Sequence, residues 1–430
     1  MYNILDLRHF ILGVDTKVPL KNGYMTTQIN FDNAATTPPF ISVMKKINEF
    51  APWYSSIHRG TGYKSKFSTQ IYEFCRKVVA QFVNADLQTQ DVIFVKNTTE
   101  AINKLSYLLK NDDNKDIILC SAMEHHSNDL PWRDKFTVIY IDLDKNGRIS
   151  LTDFEDKLKK YEGRIKLVTV TGASNVTGYV NPIYEMAELT HKYGSKILID
   201  GAQLIPHRGL DMNPSSINCN IDFLAFSAHK MYAPFGAGVL IGPKALFKNT
   251  ISEQTGGGTV KIVTPNKVIW DESPENQEAG TPNLIGVIAL CEAINTLNLI
   301  GMKKIDSYEN SLKKYTIEKM SLIKDIEIYS KLDNLNPGVG IIPFNIKGIP
   351  HEVTASLLSD YFGIAVRNGC FCAHPYVERL LDVSEDELEK MIKNPSANKR
   401  GIVRISFGLY NNYREIDVLV NALNYIIKTK

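Results

Sequence analysis

Short apolar runs alternate with helical patterns from about residue 70 to residue 245. Seven runs rich in β-branched and aromatic residues are predicted to be strands: 91–95, 116–120, 137–141, 166–172, 196–200, 222–227 and 238–242. Several are almost continuously apolar, as expected of strands that helices cover on both faces. Helical patterns lie between them, such as 99–110 and 184–194, the second closing with a glycine. The alternation predicts an α/β fold with a mostly parallel sheet.

The pattern changes after Pro282. An apolar helix is predicted over 283–301 and further helix to about residue 325, followed by a mixture of strands and helices that ends in a helix over 415–428. Segment 377–401 is charged and helical, and it could cover a site. We predict three parts: an N-terminal segment 1–30 that packs with the small domain, a large domain 31–283, and a small α+β domain 284–430.

Composition narrows the possible functions. The chain has 430 residues, which exceeds the size that a single hydrophobic core usually supports, so two domains are expected. Its formal charge of +2 gives no reason to expect nucleic acid or an anionic membrane as a partner. The apolar start of the chain is interrupted by Asp6 and Arg8, and no cleavage site follows, so a signal peptide is not expected. Six cysteines in so long a chain indicate reduced thiols rather than a disulfide scaffold. A cytoplasmic protein is expected.

Polar residues cluster where the predicted strands end, which is where ligands bind in open α/β sheets. Thr98 and Thr99 follow the first strand at the start of a helix, where hydroxyl and N–H groups suit a phosphate, although taken alone they are better explained as a plain helix cap. The adjacent His125 and His126 lack the spacing of two metal ligands on one helical face. Asn175 follows a later strand in a polar loop.

Asp200 ends an apolar strand, where an unpaired carboxylate would be costly, so it is either charged against a partner or caps the next helix. Gln203 follows it closely. Lys230 lies after another buried strand, in a loop of small residues that also contains Ser227. A desolvated lysine becomes a usable amine nucleophile. A lysine for an imine, a carboxylate for a pyridinium nitrogen, hydroxyls for a phosphate and a histidine for ring stacking together describe a pyridoxal 5'-phosphate pocket.

The stretch "RNGCFCAHP" (367–375) has two cysteines one residue apart. A zinc knuckle is disfavoured because C-x-C is tighter than the usual spacing and no second ligand pair is visible. Two structural cysteines, a redox couple and a catalytic thiol stay open as alternatives. The arginine favours the catalytic thiol, because a cationic neighbourhood lowers a thiol pKa.

The order of these motifs resembles the class V aminotransferase-fold enzymes, in the branch of cysteine desulfurases and selenocysteine lyases with an R-x-G-x-x-C loop. The similar segments cover nearly the whole chain and include "FDNAATT", "HRGTGYKS", "NTTEAIN", "MEHHSN", "ASNVTG", "IDGAQ", "SAHKMYAPFGAGVL", "EAGTPN", "RNGCFCAHP" and "VRISFGLYN". The resemblance implies a fold type I enzyme with a mostly parallel seven-stranded sheet, pyridoxal 5'-phosphate as cofactor and a homodimeric assembly. Relatives in iron–sulfur assembly carry two histidines where this chain has Cys370 and Phe371.

The resemblance also implies roles for individual residues. Lys230 would bind the cofactor covalently, Asp200 would pair with its pyridine nitrogen, and Gln203 would bond its ring hydroxyl. His125 would stack on the ring and take part in catalysis. The phosphate would be held by Thr98, Thr99, Ser227, His229 and, from the neighbouring subunit, Thr281.

The remaining roles concern the substrate. Asn175 and Arg367 would bind its carboxylate, Arg404 would lie near it, and Cys372 would be the sulfur nucleophile. The expected reaction converts L-cysteine to L-alanine and leaves a persulfide on Cys372, with a protein as a candidate sulfur acceptor. A C–S lyase, a selenocysteine lyase, an epimerase, an aminotransferase and a sulfur-relay protein with a vestigial site stay open as alternatives.

Overall fold

The computed structural model describes residues 4–110, 114–216, 218–331, 337–394 and 400–429. Within these ranges the strands are β1 (Lys17–Pro19), β2 (Met25–Thr27), β3 (Ile29–Asn30), β4 (Gln90–Val95), β5 (Ile117–Ser121), β6 (Thr137–Ile141), β7 (Ile165–Thr171), β8 (Ile197–Asp200), β9 (Phe223–Ser227), β10 (Gly238–Pro243), β11 (Val260–Thr264), β12 (Lys267–Trp270), β13 (Ile326–Ile328), β14 (Ile341–Ile346), β15 (Ile364–Ala365), β16 (Arg367–Gly369) and β17 (Ile402–Ser406).

The α-helices of the described ranges are α1 (Ile41–Phe50), α2 (Tyr63–Phe82), α3 (Thr98–Leu108), α4 (Leu130–Arg133), α5 (Leu151–Lys160), α6 (Ile183–Lys192), α7 (Lys244–Asn249), α8 (Leu284–Ile300), α9 (Met302–Met320), α10 (His351–Phe362), α11 (His374–Leu380), α12 (Glu385–Lys393) and α13 (Tyr413–Lys428). Short 3-10 helices occupy Ile4–Phe10, Ala51–Trp53, His126–Asn128, Ala228–Lys230 and Glu275–Gln277.

The central sheet has seven strands in the order β4-β10-β9-β8-β7-β5-β6. Strand β10 runs antiparallel to both of its neighbours, whereas the pairs from β9 to β6 are all parallel. The prediction of a mostly parallel seven-stranded sheet is confirmed. All seven predicted runs form strands of this sheet, and β6 has the predicted bounds.

The continuous apolar runs form strands because both faces of the sheet are covered. Ile117 and Leu119 of β5 belong to a core shared with α2 and α8, whereas Ile118 belongs to a second core shared with α3. Since successive side chains of a strand point to opposite faces, neither face can be polar. The carboxyl ends of the parallel strands therefore gather the polar residues at one edge.

A second sheet has the order β13-β14-β17-β16 and is antiparallel throughout. It has its own core, to which α9, α10 and α13 contribute Leu312, Leu358 and Leu419. Phe31 and the parallel pair β3–β15 join this core from the start of the chain. The division at 30/31 and 283/284 stays a prediction.

Two regions differ from the predicted pattern. The predicted helical segment 377–401 contains the end of α11 and all of α12, which are separated near Asp382, whose φ is 52°. Residues 395–399 of that segment lie outside the described ranges. The hairpin β11–β12 was not predicted, because its exposed residues lack a buried face that would give alternation.

No single described helix is long and apolar enough to cross a membrane. Helices α8 and α9 pass that test only as a pair, bent by 77°. Most residues of α8 are buried, and the helix packs against α1 and α2. The apolar character of α8 is therefore that of a core helix.

Candidate active site

A cavity of about 250 Å³ lies at the carboxyl ends of β4, β5, β7, β8 and β9, beside the second sheet. It is lined by twelve predicted site residues: Thr98, Thr99, His125, Asn175, Asp200, Gln203, Ser227, His229, Lys230, Arg367, Cys372 and Arg404. Thr281 lies outside it and borders two neighbouring depressions. The strand ends and the second sheet thus bring together residues that are far apart in the sequence.

Asp200 is the one acidic residue among the lining side chains, all of which are described. The carboxylate is buried at the end of β8, and its Oδ1 accepts the N–H of Ala202 at 2.9 Å. Burial raises the pKa of Asp200, although the accepted bond and the charge of Lys230 oppose the shift. No helix begins after Asp200, so the alternative that it caps one is wrong.

Lys230 ends the 3-10 helix that follows β9. Burial lowers its pKa to about 8, with the nearby charge of Asp200 opposing and that of Arg404 adding to the effect. A desolvated ammonium loses its proton more easily, so a larger share of Lys230 is the free amine at neutral pH. The site therefore holds an amine nucleophile facing a carboxylate.

Helix α3 begins at the cavity, and its N-cap is Asn97, whose side chain accepts the N–H of Glu100. The threonine hydroxyls are therefore free of the capping role that the sequence left open. Thr98 Oγ1 lies 2.7 Å from Ser227 Oγ, which also accepts the Thr98 N–H at 2.8 Å. Hydroxyls at a helix N-terminus, near the positive end of its dipole, form a site for a phosphate.

Two histidines line the same cavity. Burial lowers the pKa of His125 to about 3, and Lys230 contributes to the shift. His125 Nδ1 accepts the N–H of Ser127 at 3.1 Å, which fixes the ring at the mouth of the cavity. Burial and Lys230 likewise lower the pKa of His229 to about 4. Both imidazoles are neutral at physiological pH and can approach an aromatic ring or accept a proton.

Gln203 tests whether the cavity fits pyridoxal 5'-phosphate. Its Nε2 donates to Ala34 O at 2.7 Å, while its Oε1 is buried and has no partner among the described residues. A buried carbonyl left without a donor is costly, and a ligand hydroxyl would satisfy it. With the hydroxyls at α3, the buried acid and the partly buried amine, the residues present fit this cofactor.

Two arginines face the cavity from neighbouring strands, because Arg367 on β16 is the register partner of Arg404 on β17. Asp32 lies between them, with Oδ1 3.0 Å from Arg404 Nη2 and Oδ2 3.7 Å from Arg367 Nη1. The Arg404 side chain is 4% exposed and also donates to Asn175 O, whereas that of Arg367 is 57% exposed. Arg404 is thus held in place, and Arg367 is the guanidinium available to a carboxylate.

Cys372 lies in a tight loop directly after β16. Phe371 and Cys372 have φ of 52° and 54°, a left-handed conformation that side chains rarely adopt. Asn175 Nδ2 donates to Phe371 O at 2.8 Å, and the His126 N–H donates to Cys372 O at 2.6 Å. Cys372 is exposed and borders the cavity, so a thiol nucleophile faces the same space as Lys230.

Cys370 differs from Cys372. It is partly buried, its Sγ lies 3.6 Å from Arg400 O, and burial raises its pKa to about 11. A protonated, partly buried thiol is a poor nucleophile. No group of three or more His, Cys, Asp or Glu side chains within the described ranges could hold a metal ion. The zinc knuckle considered for this loop gains no support from the geometry.

Sequence reasoning missed several residues that line the cavity or hold its lining side chains in place. Asp32 orients the arginines, and the only signal for it was its place in the segment "FDNAATT". Ser127 was quoted within "MEHHSN" but given no role, although it contacts both Thr99 and His125. The other lining residues without a predicted role are Ala34, Ala35, Asn97, Thr171, Ala202 and Phe371.

Known proteins with similar sequences and structures are consistent with this chemistry. Residues 29–419 match the family described as aminotransferase class-V. A probable cysteine desulfurase of Halalkalibacterium halodurans is 34% identical over 411 residues, which cover 94% of this chain and 93% of that protein. A cysteine desulfurase of Wigglesworthia glossinidia brevipalpis is 34% identical, covering 92% of each chain.

Two solved structures have the same architecture. The apo structure of a cysteine desulfurase from Thermococcus onnurineus superposes with a TM-score of 0.83 at 31% identity, covering 94% of this chain and 95% of that one. A cysteine desulfurase from Escherichia coli, solved with an S-sulfonic acid, gives a TM-score of 0.81 at 26% identity, covering 100% and 99%.

Proposed function

Because this chain belongs to the aminotransferase class-V family, we infer that it is a cysteine desulfurase that uses pyridoxal 5'-phosphate. It converts L-cysteine to L-alanine and takes up the sulfur on an enzyme cysteine as a persulfide. The observation that carries the inference is that a partly buried amine, Lys230, and an exposed thiol, Cys372, border one cavity. A C–S lyase, an epimerase or an aminotransferase needs the amine and has no use for the thiol.

The residues that would hold the cofactor lie on three sides of the cavity. Thr98 and Ser227 would bind the phosphate at the start of α3, Asp200 would face the pyridine nitrogen, and Gln203 Oε1 would accept the ring hydroxyl. His125 would cover the ring. When bound, the cofactor withdraws electrons from the substrate's α-carbon, which makes the α-proton acidic and the bond between carbon and sulfur breakable.

The protein's own groups perform the remaining steps. The more exposed Arg367 binds the substrate carboxylate, while Arg404 and Asp32 keep Arg367 oriented. The amine of Lys230 removes the α-proton, since its lowered pKa leaves it available as a base near neutral pH. The Lys230 ammonium that results carries this proton and can return it to the substrate, and His125, which Ser127 fixes at the mouth of the cavity, is placed to assist that return.

Sulfur transfer belongs to Cys372. Its thiolate attacks the substrate sulfur, forming a bond between the two sulfur atoms while the bond between carbon and sulfur breaks. The electron pair of the broken bond stays with the carbon fragment, which gains a proton and leaves as L-alanine. In sum, one thiol and L-cysteine give one persulfide and L-alanine, and no external oxidant or reductant is consumed.

Mass spectrometry after incubation with L-cysteine tests the proposal. The peptide that contains residues 370 and 372 is expected to gain one sulfur atom, and fragmentation is expected to locate it on Cys372. The Cys370→Ser variant is the matched control, because it keeps the loop and the second thiol and should gain the same sulfur. Release of sulfide, pyruvate and ammonia without any sulfur on the protein would instead indicate a lyase.

Thr281 indicates the assembly. It borders depressions outside the Lys230 cavity in its own chain, so it can serve a phosphate only in the site of a second chain. We therefore propose a homodimer with composite sites, and light scattering at micromolar concentration measures its mass. A fully active monomer would contradict this assembly.

A further inference from the structure

The loop that carries Cys372 has a strained backbone. Two consecutive residues with side chains, Phe371 and Cys372, adopt left-handed backbone conformations. Such residues persist only where the surroundings hold them in place, and they are concentrated at sites where the conformation serves a function. The contacts around this loop are therefore expected to control where the sulfur of Cys372 lies.

One set of these contacts comes from a pair of histidines outside the cavity. The rings of His126 and His374 are parallel within 9°, with centroids 5.0 Å apart. His126 Nε2 lies 3.2 Å from His374 Nδ1 and 3.4 Å from the backbone N of His374, which donates to it. His126 also donates its own N–H to Cys372 O at 2.6 Å. The pair thus joins the start of α11 to the carbonyl of the nucleophile.

The direction of the hydrogen bond from the His374 backbone fixes the protonation state of the His126 ring. His126 Nε2 accepts a bond from the His374 backbone, so it carries no proton. Burial, with the neighbouring His374, lowers the pKa of His126, which agrees with a neutral ring. Nδ1–H of His374 can then donate to the same nitrogen. His374 is exposed, so replacing it leaves no buried cavity.

We propose that His374, acting through His126, is a positioning residue that latches the Cys372 loop in its strained conformation over the cavity. The proposal rests on the desulfurase function inferred above. With the latch closed, the thiolate of Cys372 faces the substrate sulfur. With the latch open, the loop relaxes toward solvent, where a second thiol can take the terminal sulfur. In that exchange the acceptor gains the persulfide and Cys372 recovers its thiolate.

Two rates measured on the same variants test the latch. The first is formation of the Cys372 persulfide from L-cysteine in the enzyme loaded with cofactor, followed by mass spectrometry. The second is alkylation of Cys372 by iodoacetamide in the cofactor-free protein, located by peptide mapping. The variants are His374→Ala, which removes the ring, and His374→Asn, whose side-chain N–H lies close to the position of Nδ1. His9→Ala is the matched control for loss of an exposed histidine, since His9 lies in the N-terminal 3-10 helix and does not line the cavity.

For His374→Ala we expect persulfide formation to slow about tenfold, because the Cys372 thiol moves away from its position against the substrate sulfur. We expect alkylation to become about threefold faster, because the same movement makes the thiol more accessible. The Asn variant should restore much of both rates, and cofactor absorbance should be unchanged in every variant. A change in the thiolate fraction alone would move both rates in the same direction, and that result overturns the latch, as does no change in either rate. If the wild type forms no persulfide, the desulfurase proposal fails, while the alkylation rates still decide whether the loop is latched.

Discussion

Lys230 and Cys372 reach one cavity from two different kinds of backbone. Lys230 follows a fully buried strand in the middle of the seven-stranded sheet, and burial is the main cause of its lowered pKa. Cys372 follows β16 at the edge of the small sheet, is exposed, and depends on a few side-chain and backbone bonds for its position. The carbon chemistry is thus built into the central sheet, whereas the sulfur chemistry is placed on an exposed loop at the edge of the small sheet.

The largest expected effect comes from removing Lys230, the amine that follows the buried strand β9. Lys230→Ala should abolish turnover and covalent attachment of the cofactor, while noncovalent cofactor persists through the contacts at α3. Borohydride reduction of the wild-type enzyme followed by peptide mapping should find the cofactor on Lys230. Attachment to another lysine would show that the assignment of the site is wrong.

The next largest effect is expected from the cysteines of the loop after β16. Cys372→Ser should lower sulfur transfer by several orders of magnitude, since it removes the nucleophile, and should leave the absorbance of the bound cofactor unchanged. Cys370→Ser should cost about tenfold or less, because burial keeps that thiol protonated and out of the chemistry. The reverse ranking would mean that the loop register is shifted, and two active variants would favour the lyase or aminotransferase alternative.

A smaller effect follows from the burial of Lys230. Its pKa is lowered from 10.5 to about 8, so the free amine accumulates as pH rises toward 8 and changes little above it. In the cofactor-free protein, trapping of a small neutral aldehyde on Lys230 by borohydride should rise about tenfold per unit below pH 8 and then level off. A rate that keeps rising to pH 10 would show that the site is more hydrated than its burial indicates.

The smallest expected effect concerns the arginines of the small sheet. Asp32→Asn keeps the shape of the side chain but leaves the buried Arg404 without its counter-charge, which should cost about 2 kcal/mol of stability to denaturant, less than for a fully buried pair because Asp32 is partly exposed. Glu272→Gln, which removes a partner of Lys261 at the surface, is the control and should have no measurable effect. Equal stability of the two variants would mean that Asp32 does not hold Arg404.

Sequence patterns predicted the large sheet well because its strands are buried on both faces, which leaves a clear pattern of apolar residues in the sequence. Strands buried on both faces must be apolar along their whole length, and ligands collect where such strands end. Asp200 and Lys230 could therefore be identified from the polar residue that follows each apolar run. The resemblance to a known family then supplied the roles of Arg367, Arg404 and Cys372, which lie in the less regular C-terminal part.

The features that escaped prediction depend on contacts between distant segments. Asp32 is important because β17 brings Arg404 beside it, and nothing in its local sequence indicates that. The left-handed backbone at Phe371 and Cys372 is also hidden, because neither residue type favours it. His374 gained a function only when the fold placed it against His126, 248 residues earlier.

The short connection from β16 to the nucleophile has a further consequence. Arg367 and Cys372 are five positions apart on one strand and loop, so while the loop is latched over the cavity the anchor for the carboxylate and the attacking sulfur keep one separation. This separation selects substrates by the distance between their carboxylate and their sulfur. A sulfur on the β-carbon lies within reach of the Cys372 thiolate, whereas a sulfur on the γ-carbon is misplaced for attack. L-homocysteine, with one more methylene, should then bind without efficient sulfur transfer. Its rate of sulfur transfer relative to that of L-cysteine measures how rigidly the loop holds Cys372 relative to Arg367.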